Sequence, residues 1–136
     1  MRASLFAAAG MVLGLGWSAA AQPPPAARTI ARSEETIRSL HLAERNQLGI
    51  LQYCQAMGVI SAEIVALQRD AVKQLPAATV AGVDEAEAAG KRGIVAFGTS
   101  QSTFEEAAKG EGMPAALRCK HMAMTVQVQA GHLPTW

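Results

Sequence analysis

The chain has 136 residues, 50% of them hydrophobic, 17% charged and 4% aromatic, with a formal net charge of +1. That is enough for one domain with a core. It is too apolar for a disordered chain and too short for a TIM barrel or a doubly wound dinucleotide enzyme. The near-neutral balance, without a basic stripe of interleaved aromatics, gives no reason to expect nucleic acid as a partner.

Residues 1–21 read as a secretory signal peptide. Arg2 is the only charge ahead of Arg28, Leu5 to Trp17 is apolar, and Ser18-Ala19-Ala20-Ala21 supplies the small residues that a signal peptidase reads. The apolar run of about 13 residues falls short of the roughly 20 needed to cross a bilayer. Pro23-Pro24-Pro25 stops its extension as a helix. The mature chain is therefore expected to begin at Gln22, to carry no membrane span, and to reside in the periplasm or outside the cell. Residues 22–32, rich in Pro and Ala, are expected to form an extended N-terminal linker. Residues 33–136 are expected to form a single helical domain.

The first helix is expected from Ser33, an N-cap followed by Glu34 and Glu35, to a stop at Gly58. On a helical wheel Ile37, Leu40, Leu48, Ile50, Leu51, Cys54 and Met57 share one half, with Glu44 and Gln47 at its rim. His41, Arg45, Asn46, Gln52 and Tyr53 share the water-facing half. A second helix is expected from Ser61, with Ile60 and Val65 as a hydrophobic staple and Pro76 forcing the end. Its buried stripe is Ile64, Leu67, Ala71, Val72 and Leu75, while Arg69, Asp70 and Lys73 face water. The short link at 58–60 folds it back on the first helix as a hairpin.

Residues 77–83 are expected as a loop. Asp84 and Glu87 have capping-box spacing and would open a short helix that Gly90 closes. Gly93 to Gly98 carries Ile94, Val95 and Phe97 between glycines, and with no strand partner in view it is expected as a loop packed into the core. Ser102 with Glu105, or Thr103 with Glu106, would cap another short helix ending near Gly110. The last helix is expected from Pro114 to Gly131. It has two apolar stripes on opposite sides: Met113, Leu117, His121, Met124 and Val128 on one, and Cys119, Met122, Ala123, Val126 and Ala130 on the other.

Cys54 and Cys119 are the only cysteines. In an oxidising compartment a lone pair of this kind forms one disulfide. The long loop it closes is worth about 4 kcal/mol of chain entropy. The bridge would turn the Cys119 stripe toward the first helix and leave the other stripe for the middle segment or another molecule. The fold expected is all-α: a small disulfide-stapled helical bundle with two longer helices as a hairpin, two short helices and one C-terminal helix.

Signatures of catalysis are weak. Gly98-Thr99-Ser100-Gln101-Ser102 lacks the final glycine of a nucleophile elbow, and Gly93 to Ser100 lacks the lysine of a phosphate loop. The carboxylate pairs Glu85/Glu87 and Glu105/Glu106 sit where they serve helix starts. His132, near Trp136, reads as a surface residue. The expectation is a non-enzymatic exported protein without a cofactor. It would act by protein–protein binding or self-association through Met113, Leu117, His121, Met124 and Val128, as an accessory subunit of an envelope complex or a chaperone-like factor. The alternatives are a periplasmic soft-metal protein using His121 and Met124, whose imidazole and thioether suit Cu(I), and a small-ligand carrier. A disulfide-stapled helical chain of this size, joining Cys54 to Cys119, is similar in size, compartment and cysteine number to the acid-stress chaperones of the bacterial periplasm. No motif is shared with them, and no residue role follows from the likeness.

Overall fold

The computed structural model describes residues 25–131; the leader expected at 1–21, and His132 and Trp136, lie outside these. Among the described residues the order is α1 (Pro25–Ala56), α2 (Ala62–Lys73), α3 (Val83–Lys91), β1 (Ile94–Phe97), β2 (Ser100–Thr103), α4 (Phe104–Gly110) and α5 (Ala115–Gln129). The protein is a small helical bundle with a disulfide and one two-stranded hairpin.

The central element is α1, 32 residues long. It starts at Pro25 rather than Ser33, so 25–32 is helical where an extended linker is expected. Ala26, Ala27, Arg28, Ala31 and Arg32 are strong helix formers, and Pro25 occupies the first turn, where its missing N–H costs nothing. The helix ends as expected at Gly58, whose φ of 74° is the left-handed conformation of a C′ glycine. The Val59 N–H donates to the Cys54 carbonyl and the Gly58 N–H to the Gln55 carbonyl, which is a Schellman closure.

The core forms around α1 on several sides. Leu48 and Leu51 meet Ile64 and Val65 of α2 and Ala123 and Val126 of α5. Ile50 and Cys54 meet Phe104 of α4 and Cys119 of α5. The Cys54–Cys119 disulfide joins residues 65 apart in sequence, with Cα atoms 5.8 Å apart. Leu40 and Met57, expected in the core, are exposed. Leu40 precedes His41, whose ring donates to the carbonyl of Pro76, beyond the end of α2, at 2.8 Å; Met57 lies just beyond the last turn.

The third side of α1 carries the largest departures from the sequence reading. Here α3 crosses α1 backbone to backbone. A Cβ on Gly49 would lie 2.1 Å from the Glu87 carbonyl oxygen, and one on Gly90 would lie 2.3 Å from the Asn46 carbonyl oxygen. Gly90 is thus an interior packing residue, and Gly93, with a φ of 72°, stands just past the helix end instead. Asp84 does not cap α3; Gly82 holds the N-cap position. Glu87 turns instead to Arg45 at 2.8 Å. At the start of α2, Ser61 holds the N-cap position but its hydroxyl makes no cap hydrogen bond.

Residues 94–103 form an antiparallel hairpin rather than a packed loop, with Ile94 opposite Thr103 and Phe97 opposite Ser100. Gly98, φ 59°, supplies the positive φ that the tight Gly98–Thr99 turn requires. The second strand, Ser-Gln-Ser-Thr, is polar and easily read as a loop. Of the two capping patterns proposed for α4, Thr103 with Glu106 is the one formed. The Glu106 N–H donates to Thr103 Oγ1 at 3.1 Å, and the Thr103 N–H donates to Glu106 Oε2 at 3.0 Å.

Candidate functional site

Two polar residues placed near water by the wheel, or overlooked by it, organise the interior. Asn46 is only 4% exposed. Its amide donates to the Ala86 and Ile94 carbonyls at 3.0 and 2.9 Å, and its carbonyl oxygen accepts from the Ala96 N–H at 3.1 Å. One side chain thereby ties α1 to α3 and to β1. Gln68, 1% exposed, donates to Glu44 Oε2 at 2.7 Å and accepts from Gln47 at 3.1 Å, tying α2 to α1. Glu44 and Gln47 reach the rim of the apolar face, as their wheel positions imply. These buried side chains all have hydrogen-bond partners, Asn46 in the backbone and Gln68 in Glu44 and Gln47, as buried polar groups must.

Of the carboxylates weighed for chemistry, Glu87, Glu105 and Glu106 have structural duties, while Glu85 is exposed. Burial pushes the Glu87 carboxyl up, but hydrogen bonds from Gln52 and Lys91 and the charges of Arg45 and Lys91 outweigh it and hold the pKa below its ordinary value. Glu106 lies below its ordinary value because the Thr103 backbone N–H donates to it. Glu105 accepts the Tyr53 hydroxyl, and that hydrogen bond, with burial and the carboxylate's charge, raises the Tyr53 pKa. Ser100 and Ser102 are strand residues of the hairpin. The glycines flanking 93–98 are a helix stop and a hairpin turn, which explains the near-matches to catalytic loops.

The surface candidate is α5. Its inner side is set by Cys119, Ala123 and Val126, all buried, with Met122 packed on both core clusters. Arg118 covers one flank, its guanidinium 4.9 Å from the centre of the Phe104 ring and 2.9 Å from Glu111. The inner side is thus the Cys119 stripe, apart from Ala130, which is exposed. The stripe singled out for partner binding points the other way. Leu117 is 41% exposed and Val128 62% exposed; His121 is exposed, and Met113 and Met124 are half-buried. Met113 stands just before the helix rather than on it. Met124 lines a hollow of about 460 Å³ with Val59, Ile60, Ile64 and Ala123, rimmed by Lys120 and Gln127. Leu117, His121 and Val128 are thus the exposed members of that stripe. For a metal, His121 and Met124 supply two donors on one helix, and no group of three or more His, Cys, Asp or Glu able to hold an ion occurs among the described residues.

A second surface feature had no counterpart in the sequence reading. Phe97, expected in the core, is 84% exposed at the tip of the hairpin. It borders a groove of about 660 Å³ between α1 and α3, lined by Leu42, Ala43, Ala86, Ala89 and Ala96. The available signal was Gly98 itself. A glycine-led two-residue turn places the residue before it at a hairpin tip, away from the core.

Comparison with protein-family models, with curated proteins and with solved structures finds no match.

Proposed function

We propose that this chain is a small exported, non-catalytic protein that works by binding another protein through the outer side of α5. The carrying observation is the orientation of that helix. A disulfide and three buried residues fix its inner side, and the residues left outward include Leu117 and Val128. Two apolar stripes on one helix are explained when both are covered, one by the chain's own core and one by a partner. Export to an oxidising compartment is supported by the disulfide and by the leader-like residues 1–21. Among the described residues no helix is long and apolar enough to cross a membrane. A non-catalytic role is supported by the structural engagement of Glu87, Glu105 and Glu106.

The two forms of this role are separated by two assays. A chaperone-like factor suppresses aggregation of an acid-unfolded model enzyme at near-stoichiometric ratio. An accessory subunit instead co-purifies from the envelope fraction with one protein identified by mass spectrometry. Either activity should be lost in a Leu117→Ser/Val128→Ser variant that melts like the parent. Equal activity in parent and variant refutes the assignment to α5. Protein recovered from the periplasmic fraction should begin at Gln22; an intact Met1 in a cytosolic fraction argues against export.

A further inference from the structure

We infer that the hollow between α5 and the start of α2 binds a free amphiphilic monocarboxylate, its chain on the apolar floor and its head at Lys120. The floor is Val59, Ile60, Ile64, Ala123 and Met124, and the volume of about 460 Å³ is that of a small-molecule site. Both walls are anchored to the same turn of α1. Cys119 ties α5 to Cys54. The Val59 N–H donates to the Cys54 carbonyl at 3.1 Å, which holds the link that carries Val59 and Ile60. Ile60 also packs against both core clusters. The hollow is therefore built before any ligand arrives, and binding need not order a loop.

The polar groups at the mouth choose the charge of the ligand. Ser61, Lys120 and Gln127 are the polar residues of the lining, and no carboxylate is among them. Lys120 is exposed and makes no ion pair among the described residues. The Ser61 hydroxyl makes no cap hydrogen bond. Glu63, on the first turn of α2, is exposed and lies outside the lining, and α5 carries no carboxylate anywhere along its length. The mouth thus offers one ammonium, one hydroxyl and one amide, all able to donate, and together they match a single carboxylate. A cationic head would meet Lys120 with like charge. An uncharged apolar molecule would cover the ammonium without giving it a partner, at a desolvation cost.

The hollow shares α5 with the proposed protein-binding surface, but Leu117, His121 and Val128 are not in its lining. The two readings therefore fail independently. The test is an NMR titration of the purified, oxidised chain with octanoate, decanoate and dodecanoate below their micelle concentrations, following the Ala123 and Met124 methyl signals. The expected result is saturable shifts of both methyls with a Kd below about 1 mM for decanoate. Each added methylene should tighten binding by up to about fourfold until the hollow is full. Lys120→Glu should weaken decanoate at least about tenfold, while Lys120→Arg keeps it; neither should change the melting temperature, since Lys120 is exposed. Ser61→Asp keeps a good N-cap residue on α2 and should melt no lower than the parent, yet bind more weakly because it sets an anion at the mouth. Leu117→Ser/Val128→Ser should bind decanoate as the parent does. Methyl signals that do not move overturn the inference, as does equal binding by parent and Lys120→Glu. Dodecyltrimethylammonium bound as tightly as dodecanoate also overturns it. So do phosphatidylglycerol vesicles that bind the chain where the free carboxylates fail, which would assign the hollow to a lipid surface.

Discussion

Replacing Gly49 with alanine adds one methyl group to the protein, and the structure says where that group must go. It arrives 2.1 Å from the Glu87 carbonyl oxygen, 2.8 Å from Gly90 Cα and 2.9 Å from the Lys91 nitrogen. All three are backbone atoms of α3, so no rotamer change relieves the contact. The helices must separate by about 1 Å to restore ordinary van der Waals distance. Separation stretches the bonds from Asn46 to Ala86, Ile94 and Ala96 and the 2.8 Å contact of Arg45 with Glu87. Overpacking alone costs about 1–3 kcal/mol, and each weakened buried hydrogen bond adds about 1 kcal/mol. Against this, alanine in a helix interior gains about 1 kcal/mol over glycine. The net expectation is a loss of about 3 kcal/mol, which lowers the melting temperature by about 12 °C or more for a domain of this size. Circular-dichroism melts and urea titrations measure it. Gly110→Ala is the internal control: it makes the same chemical change at the end of α4, with nothing within 4 Å of the new methyl. It should be neutral or slightly stabilising. If Gly49→Ala and Gly110→Ala melt within about 0.5 kcal/mol of each other, the close crossing of α1 and α3 is wrong.

Three further outcomes follow from the same geometry. Removing the disulfide with Cys54→Ala/Cys119→Ala, which frees a loop of sequence separation 65, should lower stability by up to about 4 kcal/mol in urea titrations; an unchanged midpoint counts against a stapled core. Asn46→Ala leaves the Ala86 and Ile94 carbonyls and the Ala96 N–H without their partner, and should cost about 3 kcal/mol. Hydrogen exchange should then show the hairpin amides opening first, whereas uniform protection would contradict the bridging role. Glu87 has a folded pKa below its ordinary value, so the stability it contributes is present above the ordinary carboxylate range and is lost as pH falls through the lowered value. Glu87→Gln should flatten that acid limb of a stability-versus-pH curve, and an unaltered limb would place the acid sensitivity elsewhere.

The parts of the fold legible in the sequence are those where one residue type has one local use. Gly58 marks the end of α1 because a left-handed C′ position favours glycine, and Pro76 bars continuation beyond α2. Cys54 and Cys119 pair because they are the only two. Thr103 and Glu106 cap α4 reciprocally. The illegible parts are those where neighbours arrive from far along the chain. A wheel assigns one half of α1 to water, but α3 and the hairpin cover that half as well, so Asn46 becomes an interior residue. Gly90 resembles a helix stop until Gly49 of α1 is placed against it. Glycine inside a helix costs about 1 kcal/mol, so its presence at 49 and 90 already implied a packing reason. The hairpin was hidden because its second strand is four polar residues, whose pairing satisfies backbone groups rather than burying side chains.

The candidate surfaces divide in the same way. The outer side of α5 is visible from sequence because the disulfide decides which of two stripes turns inward. Once Cys119 is assigned to the core, Leu117 and Val128 must face out. Polar residues at those positions would have cost the fold nothing, since neither side chain belongs to a core cluster. Their apolar character is what the proposed binding role would use. Phe97 follows the same logic by a different route. In sequence it resembles a core residue, and only the register of β1 on β2, with Phe97 opposite Ser100 at the turn, puts it outside. Its exposure follows from the position of the Gly98–Thr99 turn, which overrides the preference of an aromatic ring for the core.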